Sequence, residues 1–113
     1  MEKKLAVDAL SALAHGGRLA IFRLLVKAGP DGLAAGGIAR KLDTAPNTLS
    51  AQLLILANAK LVKARREGRS IFYAADFDRM ASLLLFLTED CCGGKPEICA
   101  PLAGIAARAK CCA

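Results

Sequence analysis

The 113-residue chain contains no tryptophan, and aromatic residues make up only 4% of it. Strands favour aromatic and β-branched residues, whereas Ala, Leu, Lys and Arg favour helices, so the composition predicts a mainly α protein. A hydrophobic fraction of 55% argues against disorder. The length allows one domain of ordinary size and no second one.

Long apolar runs are also missing. Leu83–Leu87 is far shorter than the ~20 residues that a membrane-spanning helix needs. Lys3 and Lys4 imitate the start of a signal peptide, but Asp8 interrupts the apolar segment that follows. We therefore expect a cytoplasmic protein with no membrane partner.

Histidine occurs once, as His15, which we interpret as a capping or packing group at a helix boundary. The sequence shows no Ser-His-Asp or Cys-His set, no paired-carboxylate cleft and no glycine-rich phosphate loop. The protein is therefore not expected to be an enzyme or to hold an organic cofactor.

Cysteine is absent from the first 90 residues, and all five cysteines follow: Cys91, Cys92, Cys99, Cys111 and Cys112. Four of them form adjacent pairs, which close almost no loop as disulfides but can chelate a soft ion as thiolates. The odd count and the expected cytoplasmic location argue against a disulfide scaffold. The last pair has three interpretations: a second site, an ion-delivery pair or a disordered tail.

Three thiols can converge locally, because Gly93 and Gly94 let the chain turn back and bring Cys99 towards Cys91 and Cys92. Three sulfurs without imidazole suit a three-coordinate ion such as As(III) or Sb(III), whereas structural zinc normally takes four ligands. We predict that these three cysteines bind the metalloid. The alternative is three unrelated reduced cysteines.

The net charge of +6 is unevenly distributed. Residues 1–34 carry +2, residues 35–75 carry +5 and residues 76–113 carry −1. A basic middle section is typical of a nucleic-acid-binding face, although a solvated basic surface would show the same charge.

Apolar residues recur at helical spacing in five segments: Ala6, Ala9, Leu10 and Leu13; Ile21, Leu24, Leu25 and Ala28; Ile38 and Leu42; Leu49, Leu53, Leu56 and Ala57; and Phe77, Met80, Ala81 and Leu84. The third helix is expected from about Ala34 to Leu42 and the fourth from Pro46 to about Ala59. The fifth is expected from Phe77 to about Thr88, with Asp76 as its cap.

The face of the fourth helix opposite its apolar stripe shows small or amide-bearing groups that can approach a DNA groove: Asn47, Thr48, Ser50, Ala51 and Gln52. A short helix, a three-residue turn and this helix indicate a helix-turn-helix. An ordinary αα-hairpin is the alternative.

A β-hairpin is expected next, from residues 61–66 and 70–74 around a turn at Glu67 and Gly68. Arg65, Arg66 and Arg69 surround Gly68 and would meet phosphates or a minor groove. Their alternative role is to protect a sheet edge. The predicted fold is thus a winged helix-turn-helix of order α-α-α-α-β-β-α.

The second half of the last helix is apolar on every side. In so small a domain a second copy is the expected cover, which predicts a twofold homodimer joined through this helix and residues 5–13. Its two heads would meet successive major grooves of double-stranded operator DNA.

Three segments resemble the ArsR/SmtB winged-helix family of bacterial arsenical-resistance repressors: ALAHGGRLAIFRLL (residues 12–25), Pro46 to Val62, and RREGRSIFYAAD (residues 65–76). CCGGKPEIC (residues 91–99) resembles the subgroup whose arsenite site follows the last core helix. The resemblance implies a dimer that binds operator DNA without ligand and releases it when As(III) or Sb(III) binds. Any competition with RNA polymerase is expected to be indirect. Residues 1–90 would form the DNA-binding and dimerisation domain and residues 91–113 the effector segment.

Ser50 and Gln52 fall where the resemblance implies a Ser and usually a His, so Gln52 departs from the pattern. Other known sites of the family are absent, since residues 34–45 lack cysteine and Asp76 and Asp78 lack partner histidines. Two other functions stay open: a thiol redox-sensing repressor of the same fold, and a small arsenite metallochaperone.

Overall fold

The computed structural model describes residues 1–88. Their elements are, in chain order, α1 (Lys3–Leu13), α2 (Gly16–Ala28), β1 (Leu33–Ala34), α3 (Ala35–Leu42), α4 (Pro46–Asn58), β2 (Val62–Glu67), β3 (Ser70–Ala75) and α5 (Phe77–Thr88). The five predicted helices are present, and Met1–Leu83 forms one compact unit. The predicted domain boundary at residue 90 lies outside the described residues.

The sheet has three antiparallel strands in the order β1-β3-β2. The predicted hairpin is present, and the structure pairs Val62 with Ala75 and Glu67 with Ser70. Its turn lies one residue later than predicted, at Gly68 and Arg69, because Glu67 is still paired in β2. β1 was not predicted: it pairs Leu33 with Tyr73 on the other side of β3. Two residues are too few to show the alternation that identifies a strand in a sequence. The observed order is therefore α-α-β-α-α-β-β-α.

Side-chain caps set two of the helix starts. The Nδ1 atom of His15 accepts hydrogen bonds from the backbone N–H groups of Gly17 (3.2 Å) and Arg18 (3.4 Å) at the start of α2. The Oδ1 atom of Asp76 accepts one from Arg79 N–H (3.0 Å) at the start of α5. Both residues thus satisfy helix N–H groups that have no partner within the helix, as predicted.

The core is built mainly from branched aliphatic side chains of α2, α3, α4 and the start of β2. The side chains that are almost fully buried are Ile21, Leu25, Ile38, Leu49, Leu53, Leu56 and Leu61. α1 contributes only alanines, Ala6, Ala9 and Ala12, to the buried set. The predicted apolar faces of the first two helices are partly wrong: Leu10 and Ala28 are exposed, and Leu13 and Leu24 are only half-buried. The same holds for the fifth helix, where Ala81 and Leu84 are exposed and Leu83 is the buried residue.

No single helix among residues 1–88 is long and apolar enough to cross a membrane. α1 and α2 pass on length and composition only as a pair, and they are bent by 102° where they meet.

Candidate nucleic-acid interface

The turn between α3 and α4 has a defined backbone conformation. Asp43 ends α3 in the left-handed region with φ of 49°. The N–H of Thr44 reaches the carbonyl of Ala39 (3.0 Å), and that of Asp43 reaches Arg40 (3.4 Å). This pair of bonds is the Schellman arrangement, which ends a helix and redirects the chain within two residues. Because this arrangement redirects the chain, α4 begins at Pro46 after a turn of three residues, and α3 and α4 form the predicted helix-turn-helix.

Four of the five predicted groove-facing residues of α4 are exposed. Leu49, Leu53 and Leu56 are buried on the inner side of the helix. The positions on either side of Leu49, Asn47, Thr48, Ser50 and Ala51, all face solvent. This face begins at the N-terminus of α4, where recognition helices contact base edges.

Gln52 is placed differently from the other four. Its side chain is half-buried and lies against Gly17 in the first turn of α2. A Cβ atom at Gly17 would come 2.7 Å from Nε2 and 3.0 Å from Oε1 of Gln52, so the amide occupies space that only a glycine leaves open. The packing against α2 thus holds the side-chain amide of Gln52 at one edge of the exposed face of α4.

The wing is the hairpin of β2 and β3. Gly68, with φ of 62°, and Arg69 connect the paired Glu67 and Ser70. A glycine with positive φ at the first position suits a two-residue hairpin connection. Arg66 and Arg69 are exposed at this end of the hairpin, and Arg66 Nε lies 3.5 Å from the carbonyl oxygen of Gly68.

The three predicted wing arginines do not form one cluster. Side chains alternate between the two faces of a strand, so Arg65 and Arg66 lie on opposite faces of β2. Arg65 Nε forms an ion pair with Glu67 Oε1 at 2.9 Å, and its Nη2 donates to the carbonyl of Asp31 at 3.2 Å. The guanidinium carbon also lies 5.3 Å from the centre of the Phe72 ring. Arg65 is therefore engaged on its own face of the wing.

Other cations belong to the same basic section of the chain. Arg40 and Lys41 are exposed in the last turn of α3, and Lys63 is exposed on β2. The uneven charge along the sequence pointed to this section without naming these residues. Within residues 1–88, Arg65–Glu67 is the only ion pair, so these cations are not neutralised by described carboxylates.

The predicted metalloid ligands Cys91, Cys92 and Cys99, and the pair Cys111 and Cys112, lie outside the described residues. Among residues 1–88, no three His, Cys, Asp or Glu side chains come together in a group that could hold a metal ion.

A family model for a helix-turn-helix domain matches residues 13–65, which include α2, α3, α4 and the start of the wing. The nodulation protein NolR of Rhizobium meliloti is 32% identical over 88 residues, covering 78% of this chain and 70% of that protein. The biofilm growth-associated repressor of Agrobacterium fabrum is 37% identical over 86 residues, covering 74% and 71% of the two chains.

Solved structures give the same result. HlyU from Vibrio cholerae is 30% identical with a TM-score of 0.62, covering 76% of this chain and 94% of that chain. A structure described as reduced HlyU is 28% identical with a TM-score of 0.61, covering 76% and 90%. A protein described as a possible transcriptional regulator for arsenical resistance is 26% identical with a TM-score of 0.63. The match covers 71% of this chain and 80% of that chain.

The homodimeric winged helix-turn-helix DNA-binding domain Mb0332 from Mycobacterium bovis, described as a possible ArsR-family transcriptional regulator, is 32% identical. The match has a TM-score of 0.61 and covers 77% of this chain and 81% of that chain. The relatives and the structures agree on one fold and one class of protein. The chain therefore belongs to the ArsR-type family of winged helix-turn-helix, DNA-binding transcriptional regulators.

Proposed function

We propose that this regulator is an arsenic-responsive repressor that binds operator DNA as a ligand-free homodimer. As(III) or Sb(III) then binds Cys91, Cys92 and Cys99, and the dimer leaves the DNA. The observation that carries the DNA-binding part is the solvent-facing row Asn47, Thr48, Ser50 and Ala51 at the start of α4. The wing beside this helix carries cations that no described carboxylate neutralises.

The residues divide into two roles on DNA. The groups on α4 would contact base edges in a major groove, with Gln52 held against α2 at the side of that row. Arg66, Gly68 and Arg69 at the wing tip, and Arg40 and Lys41 on α3, would contact phosphates, which fix the position of the protein without reading sequence.

The homodimer is proposed from exposed apolar side chains. Leu5, Val7 and Leu10 of α1 are 38%, 54% and 41% exposed, and Leu84 and Leu85 of α5 are 52% and 68% exposed. Removing such side chains from water is the dominant favourable contribution to most protein association. Mb0332, which is similar to this chain, is described as homodimeric.

Metalloid sensing is proposed from the sequence that follows α5. In the sequence, Cys91 and Cys92 follow Thr88, the last residue of α5, after two intervening residues. Arsenite, As(OH)3, would exchange its three hydroxyl groups for the sulfur atoms of three thiols. The three thiol protons leave with the hydroxyl groups as three waters, and the oxidation state of arsenic does not change. Because α5 is proposed to join the two subunits, a ligand that closes these thiols can change the spacing of the two DNA-binding heads. The similarity to a structure described as a possible transcriptional regulator for arsenical resistance supports this function.

Domain organisation and location follow from the same proposal. Residues 1–90 bind DNA and dimerise, residues 91–113 hold the effector, and the regulator acts in the cytoplasm.

The test uses a labelled duplex that the wild-type protein enriches from a random-sequence pool. Fluorescence anisotropy should show release of this duplex as arsenite or antimonyl tartrate is added to reduced protein. Cys99→Ser should keep DNA binding and require at least about tenfold more arsenite, because it removes one of the three ligands and even changes behind the ligands typically cost 10–100-fold in metal affinity. Cys111→Ser keeps the three proposed ligands and is the comparison: release at the wild-type arsenite concentration assigns the switch to the three-thiol site alone, and a higher requirement assigns the last pair a part in it.

Release of DNA from Cys99→Ser at the wild-type arsenite concentration would show that the three-thiol site is wrong. If the wild-type protein enriches no duplex but still binds arsenite, the metallochaperone is the better description.

A thiol redox-sensing repressor is the second candidate. It is favoured by the similarity to HlyU, of which one structure is described as reduced. In that case peroxide would release the DNA by oxidising a cysteine pair, a thiol reductant would restore binding, and arsenite would have no effect.

A further inference from the structure

Arg65 is the most constrained of the wing arginines. Its guanidinium group donates from Nε to Glu67 Oε1 (2.9 Å) and from Nη2 to the carbonyl of Asp31 (3.2 Å). The group also lies over the ring of Phe72, with its carbon 5.3 Å from the ring centre. The guanidinium thus has partners on the same strand, on the neighbouring strand and in the turn before β1.

The contact with Asp31 joins parts of the chain that are 34 residues apart. Asp31 lies in the turn between α2 and β1, and the next residue, Gly32, has φ of +70°. A Cβ atom at Gly32 would be 2.2 Å from the carbonyl oxygen of Tyr73, so the turn is pressed against the backbone of β3. Arg65 therefore bridges two strands of the wing at the point where the α2–β1 turn meets the sheet.

The ion pair alone would fix little. The side chains of Arg65 and Glu67 are 47% and 56% exposed, and exposed ion pairs contribute little to stability because water screens them. The carbonyl and the aromatic ring add geometry that an ion pair lacks, because the planar guanidinium donates to an acceptor in its plane while its carbon lies over the ring. A lysine at this position would keep the charge but could not make both contacts at once.

We propose that Arg65 is a positioning residue that holds the wing against the α2–β1 turn, so that Arg66 and Arg69 meet the phosphates. This inference rests on the proposed binding of DNA by the wing. Arg65 itself contributes no phosphate contact, and its charge is balanced locally by Glu67.

The test compares Arg65→Lys, Arg65→Gln and Arg69→Gln on the duplex enriched by the wild-type protein, with affinity measured over a range of salt concentrations. A phosphate contact contributes a slope of ~0.9 to the dependence of log affinity on log salt. Arg69→Gln should lower the slope by about that amount. Both Arg65 variants should leave the slope unchanged, because the wing makes the same phosphate contacts once it is bound. They should weaken binding about threefold to tenfold at every salt concentration, because a loosened wing has to be ordered when the DNA binds.

The two roles predict opposite results for Arg65→Lys. If Arg65 contacted a phosphate, lysine would preserve most of the affinity, whereas glutamine would lower both the affinity and the slope. That pattern would overturn the proposal, as would wild-type affinity in both Arg65 variants.

A second measurement needs no DNA and so separates this inference from the proposed function. Amide hydrogen exchange of the free protein should be faster in the wing of both Arg65 variants, at the Glu67–Ser70 and Arg65–Phe72 pairs, which are the hydrogen-bonded ones nearest the turn, while Arg69→Gln exchanges like the wild type. Unchanged exchange in the Arg65 variants would mean that the contact does not hold the wing.

Discussion

The side-chain amide of Gln52 packs against Gly17, so that the recognition helix α4 and the first turn of α2 meet where one partner has no side chain. The nearest amide atom, Nε2, would be 2.7 Å from a Cβ at Gly17, a separation that real Cβ atoms do not show. The conflict involves the end of a flexible side chain and no backbone atom. A methyl group at Gly17 would therefore move Gln52 without disrupting the core.

We expect Gly17→Ala to change DNA binding without lowering stability. Alanine is better than glycine inside a helix by about 0.5–1 kcal/mol, so the melting temperature should stay level or rise. The displaced amide should weaken binding of the enriched duplex by about as much as Gln52→Ala does. The Gly17→Ala/Gln52→Ala double variant should bind no more weakly than either single variant, because both changes remove the same arrangement.

Gly16→Ala is the matched control for this prediction, since a Cβ atom there would meet nothing within 4 Å. It should change the helix by a similar amount and leave DNA binding as in the wild type. If Gly17→Ala binds normally while Gln52→Ala does not, the contact with α2 does not position Gln52.

Lys60 occupies a backbone position that favours glycine. It follows α4 with φ of 65°, its N–H bonds to Ala57 (3.0 Å), and the N–H of Leu61 bonds to the carbonyl of Leu56 (3.0 Å). These bonds form a Schellman cap, and both residues at the positions of its usual hydrophobic contact, Leu56 and Leu61, are fully buried. The left-handed conformation costs an L-residue with a Cβ atom about 1–2 kcal/mol.

Lys60→Gly should therefore raise the free energy of unfolding by about 0.5–1 kcal/mol, the net of relieved strain and the greater chain entropy of glycine when unfolded. Thermal unfolding should show an increase of several degrees. Lys60→Ala removes the same charge but keeps a Cβ atom, so it should give no increase. Equal stabilisation by both variants would attribute the effect to charge.

His15 caps α2 through its Nδ1 atom, as described above, and is otherwise exposed. Replacing an N-cap side chain by alanine typically costs about 1 kcal/mol, and asparagine is among the best cap residues. We expect His15→Ala to lower the midpoint of urea unfolding and His15→Asn to preserve it. Equal loss in both variants would show that the imidazole acts through packing.

The helix-turn-helix could be predicted from local patterns because each of its parts has a local cause. Leu49, Leu53 and Leu56 repeat at helical spacing, Pro46 suits a first helical position, and Gly68 permits the tight turn of the wing. The side of α4 that faces solvent follows directly from the side that is buried. These features survive in the structure because tertiary contacts reinforce them.

The engaged side chains, the strand β1 and the inner face of α1 could not be predicted, because they depend on contacts between residues that are distant in the sequence. Gln52 meets Gly17 and Arg65 meets Asp31, and neither partner lies near in sequence, so the spacing along α4 or β2 cannot reveal which side chains are already engaged. β1 is defined only by its pairing with Tyr73 and Phe72 of β3. Likewise, α1 buries Ala9 and exposes Leu10 because close packing, and not hydrophobicity alone, selects the inner face.

Arg18 connects the first two helices. Its Nε donates to the carbonyl of Ala12 at 2.7 Å, and the side chain is half-buried. The last four carbonyls of a helix have no partner within it, so this bond satisfies one at the end of α1 from the first turn of α2. Arg18→Met keeps the apolar stem but leaves that carbonyl without its donor.

Hydrogen bonds to charged groups contribute about 1.5–3 kcal/mol, and partial exposure places Arg18 near the lower end. We expect Arg18→Met to lower the urea midpoint with an unchanged m-value, because stability changes while the surface exposed on unfolding does not. Arg23→Met, at an exposed position of the same helix, is the matched control and should stay within about 0.5 kcal/mol of the wild type. Equal loss in both variants would mean that the arginine charge, and not the bond to Ala12, stabilises the junction.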